Sequence, residues 1–172
     1  MQTELGKVVA ALRELYVQES FLFERELGER TLTHRFAVHL ERQFFGWAVD
    51  CDYDCLGERT LRLPRGTIVS TDDHVGKSIY PDVVVHRRQV PKNLLAIEIR
   101  KVSNPQPIEH DRHKLCALTD PDFWFAYWAG VLLVLARTSV ASSEVYAGGA
   151  LDPPLSAWFA EKLKLAGMGG LQ

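Results

Sequence analysis

The chain has 172 residues, 47% of them apolar and 24% charged, which excludes a mainly disordered protein and suffices for one domain with its own core. Twenty basic and 22 acidic side chains leave a net charge of −2, so a polyanion has to be met by a local patch and not by the surface as a whole. Cys51, Cys55 and Cys116 are too few and too unevenly spaced for a disulfide framework, and the odd count points to a reducing, cytoplasmic setting. The longest uncharged run, residues 123–136, is shorter than the roughly 20 residues needed to span a bilayer, so no membrane association is expected.

In chain order, Val8, Leu12, Leu15 and Tyr16 share one face of a predicted first helix. Leu32, Phe36, Leu40 and Phe44, four residues apart, predict a second helix over about 30–45, ended by Gly46. Trp47, Val49, Cys51 and Tyr53 then alternate with Ala48, Asp50, Asp52 and Asp54, the period of a strand with one wet face. Residues 56–80 are rich in Gly, Pro and Asp and read as a hairpin arm or loop, with a short strand near 60–63. DVVVH at 82–86 follows Pro81, which is tolerated at the beginning of a strand. LLAIEI at 94–99 is nearly continuous apolar sequence, as a central strand covered on both faces requires. RRQVPKN between them predicts a turn. A helix over about 107–118, an apolar strand within 127–136, a strand near 144–146 and a C-terminal helix from about Ser156 complete the chain. The fold class expected is α/β, a central mixed sheet flanked by helices, in a single domain over residues 1–172.

Two acids stand at the ends of the buried strands. Asp82 opens one strand, and Glu98 follows four apolar residues of the other. If the two strands form an antiparallel hairpin, both carboxyl groups meet at one rim of the sheet. Like charges that close either share a proton or bind a cation, and an oxygen ligand set favours Mg²⁺ or Mn²⁺. Strand alternation puts Arg100 on the face of Glu98 and Lys101 on the other. The structural alternative is a capping role for Asp82 and a Glu98–Arg100 ion pair. Glu29 falls in line with Leu32, Phe36 and Leu40, one turn earlier, which makes it a candidate third acid or simply a favourable charge at a helix N-terminus. Asp111 shares a helix stripe with Ile108, Leu115 and Leu118, in reach of Arg100 or a backbone N–H, while Lys114 flanks that stripe in reach of a phosphate.

The pattern YPDVVVH, a turn, NLLAIEIRKVSN and HDRHKL resembles the PD-(D/E)XK nuclease superfamily. Pro81-Asp82 matches the PD element, and Glu98-Ile99-Arg100 matches (D/E)XK with arginine in the place of lysine. The resemblance covers about residues 29–137 and implies a restriction-endonuclease-like fold with metal-dependent phosphodiester hydrolysis. It implies Asp82, Glu98, the Ile99 carbonyl and Glu29 as holders of Mg²⁺ or Mn²⁺, with Arg100 supporting the transition state. An arginine cannot act as the general base, because it stays protonated.

Residues 86–114 hold seven Lys/Arg against three acids, a patch suited to a nucleic-acid backbone, DNA before RNA. Arg87, Arg88, Lys101 and Lys114 are its candidate contacts. The alternative for the patch is a solvated turn and helix surface. The aromatic run Phe123, Trp124, Phe125, Tyr127, Trp128 is expected in the core or at a homodimer interface, with base stacking as the alternative. The rival to an enzyme is a non-catalytic nuclease-fold module that binds nucleic acid or a protein partner.

Overall fold

The computed structural model describes residues 1–53, 55–56, 59–60 and 80–169. Its frame is a six-stranded mixed sheet in the order β1-β4-β5-β6-β7-β8, flanked by helices. Three helices come first: α1 (Gln2–Gln18), α2 (Ser20–Glu24) and α3 (Glu29–Gln43). In α1 the residues Leu5, Val8, Leu12 and Leu15 are buried, and in α3 Leu32, Phe36 and Leu40, so each predicted stripe, apart from the half-buried Tyr16, lies in the core. The five-residue α2 was not predicted, being too short to display a helical period. Gly46, at φ +80°, turns the chain out of α3 in a conformation that a side chain would disfavour.

β1 (Ala48–Cys51) pairs antiparallel with β4 (Val83–Arg87). Between them in sequence the two-residue strands β2 (Cys55–Leu56) and β3 (Arg59–Thr60) pair with each other, while residues 57–58 and 61–79 of the predicted arm lie outside the described residues. The predicted strand over 60–63 lies, apart from Thr60, outside the described residues. β4 and β5 (Lys92–Lys101) form the expected antiparallel hairpin around the 88–91 turn.

β5 runs parallel to β6 (Ala129–Leu135), so a crossover must join them, and α4 (Glu109–Thr119) supplies it. Every residue of β6 is buried. Gly130 lets α4 approach closely, since a Cβ there would meet Leu115 Cδ2 at 3.1 Å and Thr119 Cγ2 at 3.2 Å. β7 (Val140–Ala147) and the short β8 (Ala150–Leu151) extend the sheet. The chain then enters α5 (Pro153–Leu165), whose start carries a proline and the Asp152 carboxylate accepting from the Leu155 N–H.

The strand alternation of β4 and β5 sorts two cores. Val83, Val85, Leu95, Ile97 and Ile99 pack with residues of α1, α3 and α5. Val84 and Ala96 pack with Leu115 and Leu118 of α4. Glu98 and Arg100 belong to this second face. Among the described residues no helix is long and apolar enough to cross a membrane.

Candidate functional site

The β4–β5 register pairs Val83 with Ile97 and Val84 with Ala96, so one step further Asp82 stands opposite Glu98. One more step of the register explains the local hydrogen bonds. Opposite Ile99 the register reaches Pro81, which has no N–H to give the Ile99 carbonyl. The Asp82 carboxylate meanwhile accepts from the Ile99 N–H at 2.7 Å, just before β4 begins. The PD dipeptide thus leads into the strand and turns a carboxylate onto the exposed backbone of its neighbour.

Glu98 is almost wholly buried, and its Oε2 accepts from the Lys114 ammonium, which α4 lowers onto it. The other oxygen, Oε1, is buried with no hydrogen-bond partner among the described residues. Burial pushes the Glu98 carboxyl well above its ordinary pKa, the Asp82 charge adds to the rise, and Lys114 opposes it. Burial also raises Asp82 to about 6, against the Ile99 N–H and Lys114, which favour its charged form. For Lys114 burial works downward, but the charge and hydrogen bond of Glu98 outweigh it and the ammonium is held more firmly protonated. The centre is therefore two desolvated carboxyl groups sharing one cation.

Arg100 is not the cation of this centre. Its guanidinium donates to Asp111 Oδ2 at 2.9 Å, to the Asn104 carbonyl at 3.3 Å and to the Gln106 carbonyl. The predicted Asp111–Arg100 contact is present, and the alternative Glu98–Arg100 pair is not. Asp111 also stands 3.8 Å from the Lys114 ammonium, so Arg100 reaches the centre only through the residues it orients.

Glu29 opens α3 and is fully engaged elsewhere. Its Oε1 accepts from the Lys101 N–H at 2.7 Å, and both oxygens accept from the Asn104 amide at 2.9 Å. It ties the end of β5 and the following turn to α3, and it stands with that backbone instead of joining Asp82 and Glu98. Among the described residues no group of three His, Cys, Asp or Glu side chains is spaced to hold one ion. The acids brought together are Asp82 and Glu98, with Asp52 and Asp111 close enough to raise the Asp82 pKa. Asp52 lay on the predicted wet face of its strand, but nothing in that alternation marked it as a neighbour of Asp82. Its N–H donates to the Asp82 carbonyl at 3.3 Å.

The basic patch is largely consumed by internal partners. Arg88 pairs with Asp50, Arg112 with Glu144, Arg100 with Asp111 and Lys114 with Glu98. Lys101 lies on the α3 face, as strand alternation requires, and its ammonium donates to the Glu26 and Leu27 carbonyls at 3.2 Å each. The bulge in the hairpin falls at Val85/His86, away from Lys101. Arg87 lies over the Trp47 ring, 5.3 Å from its centroid. In the aromatic run Phe125 and Tyr127 are core, while Trp124 and Trp128 are 41% and 42% exposed.

Sequence reasoning also missed a buried histidine. His86 faces Asp50 across β1 and β4, its Nε2 2.7 Å from Asp50 Oδ2, with Tyr53 edge-on to its ring. The apolar run that marks β4 hides such a residue. No protein-family model matches the chain, and no curated protein matches it either.

Proposed function

We propose that the chain hydrolyses phosphodiester bonds in nucleic acid, DNA before RNA, with Mg²⁺ or Mn²⁺ held between Asp82 and Glu98. One observation carries this reading: Glu98 Oε1 is buried without a partner beside a second desolvated carboxylate. An unpartnered carboxylate oxygen in a dry site is costly, and a hard divalent cation is the group that such oxygens accept. The donor set fits, since Asp82, Glu98 and the Ile99 carbonyl, opposite a residue with no N–H, are all oxygen ligands at one rim.

When bound, the ion lowers the pKa of its water and offsets charge on the scissile phosphate and the leaving 3′ oxygen. Lys114, held protonated, does not act as a base. It donates a hydrogen bond and fixed positive charge beside Glu98, where charge builds up on the phosphate. A lysine from α4 thus serves in place of the strand lysine that Arg100 replaces. Arg100 is a positioning residue, holding Asp111 and the 104–106 turn. Glu29 has the same kind of role for the end of β5.

The test is cleavage of plasmid DNA with Mg²⁺ or Mn²⁺ against a chelator. The wild-type chain is expected to cut only with metal, and Glu98→Ala to lose about 10²-fold or more. Equal turnover by Glu98→Ala overturns the site. The second reading, a binding module without catalysis, draws on the Lys114–Glu98 pair, which already neutralises one acid. No cleavage by a wild-type chain that binds DNA decides for it.

A further inference from the structure

We propose that the cleft at the opposite end of the sheet from Asp82 and Glu98 is a stacking site for unpaired nucleotides. The substrate class is then nucleic acid with a single-stranded stretch. Its being a substrate rests on the hydrolytic reading, whereas its binding does not.

β1, β5 and β6 all begin at this end, and the residue before β1 and the residue before β6 are both tryptophans. The cleft measures about 480 Å³, and its lining includes Trp47, Lys92, Asn93, Tyr127 and Trp128. Trp128 leaves the core although Phe125 and Tyr127 of the same run are buried. Trp47 carries the Arg87 guanidinium over its ring. Neither Arg87 nor Lys92 has a carboxylate partner among the described residues, unlike Arg88, Arg100, Arg112 and Lys114. Among the described residues no acidic side chain lines the cleft. Asp120 and Asp122 flank its rim at Pro121, and Asp120 accepts from the Asp122 N–H.

The exposed Trp128 indole, with Lys92 beside it and Arg87 over the half-buried Trp47, offers the stacking face and the unneutralised cations that single-stranded nucleic acid requires. Bases stack on the rings whatever their identity, and the cations meet the phosphates. A proline-rich peptide would use the same rings but has no charge for Arg87 and Lys92. The geometry relates the two ends. Asn93 in the cleft and Glu98 at the acidic centre lie on one strand, about 17 Å apart at ~3.3 Å per residue. That is about five nucleotides of a stacked strand. α4 joins the two ends in the same layer, Asp111 standing at the acidic centre and Thr119 at the cleft.

The experiment is fluorescence anisotropy of a labelled twelve-nucleotide thymidine strand with the full chain, in chelator so that no cleavage intervenes. Trp128→Ala is expected to weaken binding roughly 10-fold or more, while Trp128→Phe stays within a few-fold of wild type. Lys92→Ala is expected to weaken binding less and to flatten the salt dependence by about one unit of slope. Equal binding by Trp128→Ala overturns the proposal, as does equal affinity for a blunt duplex or displacement of the strand by a polyproline peptide. A chain that binds the strand through Trp128 but cuts nothing with Mn²⁺ refutes the hydrolytic reading and leaves the cleft standing. Metal-dependent cutting by a chain whose strand binding ignores Trp128 does the reverse.

Discussion

Two carboxylates on the α4 face of the same sheet have opposite fates. Asp50 on β1 accepts from His86 and from two nitrogens of Arg88, and these donors hold its pKa below the ordinary value, the Arg88 hydrogen bond foremost. Glu98 on β5 has one donor, Lys114, and an oxygen with none, and burial drives its pKa up. The difference lies in the supply of donors against the loss of water. Asp50 is a finished structural ion pair at the half-open edge of the sheet. Glu98 sits in a central strand, where solvent is gone and donors are short by at least one. A carboxylate in that state can accept a cation, which is the ground for the proposed metal site.

The largest effect that would sharpen the contrast comes from Lys114→Met. Removing the cation leaves Glu98 buried and unpaired, so the folded state should lose about 3 kcal/mol at about pH 8, where the carboxyl must either stay charged or take up a proton. The loss should shrink in mildly acidic buffer, because a protonated Glu98 no longer needs the ammonium. Denaturant titrations at the two pH values measure both. An equal loss at both would mean that Lys114 contributes packing and no charge.

Next in size is the pH dependence of stability. Asp82 and Glu98 have folded-state pKa values above their unfolded ones, so between about pH 4 and 6 the native chain binds more protons than the unfolded chain. Their contribution to stability is therefore present at the acidic side and is lost as pH rises, for Asp82 through about 6. Asp50, Glu19 and Glu144 have lowered values, and their contribution is lost as pH falls below the ordinary carboxylate range. Thermal unfolding across pH should show both limbs, and Asp82→Asn should flatten only the first. Mn²⁺ should raise the melting temperature more at neutral than at acidic pH, since the ion competes with those protons. A metal shift independent of pH would detach the ion from this pair.

The smallest effect belongs to the other end. Arg88 is 60% exposed, so Arg88→Ala should cost at most about 1 kcal/mol despite its close contact with Asp50. A larger loss, measured by chemical denaturation, would show that Asp50 and His86 depend on it and would erase the contrast with Glu98.

Much of the frame was legible beforehand. The Leu32, Phe36, Leu40 stripe, the Pro81 strand start and the apolar run before Glu98 each express a local periodicity or a backbone constraint, and such signals survive without tertiary context. The antiparallel meeting of Asp82 and Glu98 followed from a short connection between two strands. Less was legible about partners. Arg100 stands two residues from Glu98 on the same face and was the natural cation for it, but its long side chain continues past to Asp111 and the carbonyls of Asn104 and Gln106. Glu29 lies in register with its helix stripe, but Lys101 and Asn104, more than 70 residues away, claim its oxygens.

What the amino-acid order determined alone is what neighbours in sequence can decide: which faces are apolar, where strands begin, and which acids end up at a rim. The tertiary structure decided which cation reaches which acid and which cations remain unneutralised. Those outcomes depend on how α4 and α3 settle against β5. A shift of a few ångströms there moves a charge from one partner to another, and no spacing along the chain encodes it.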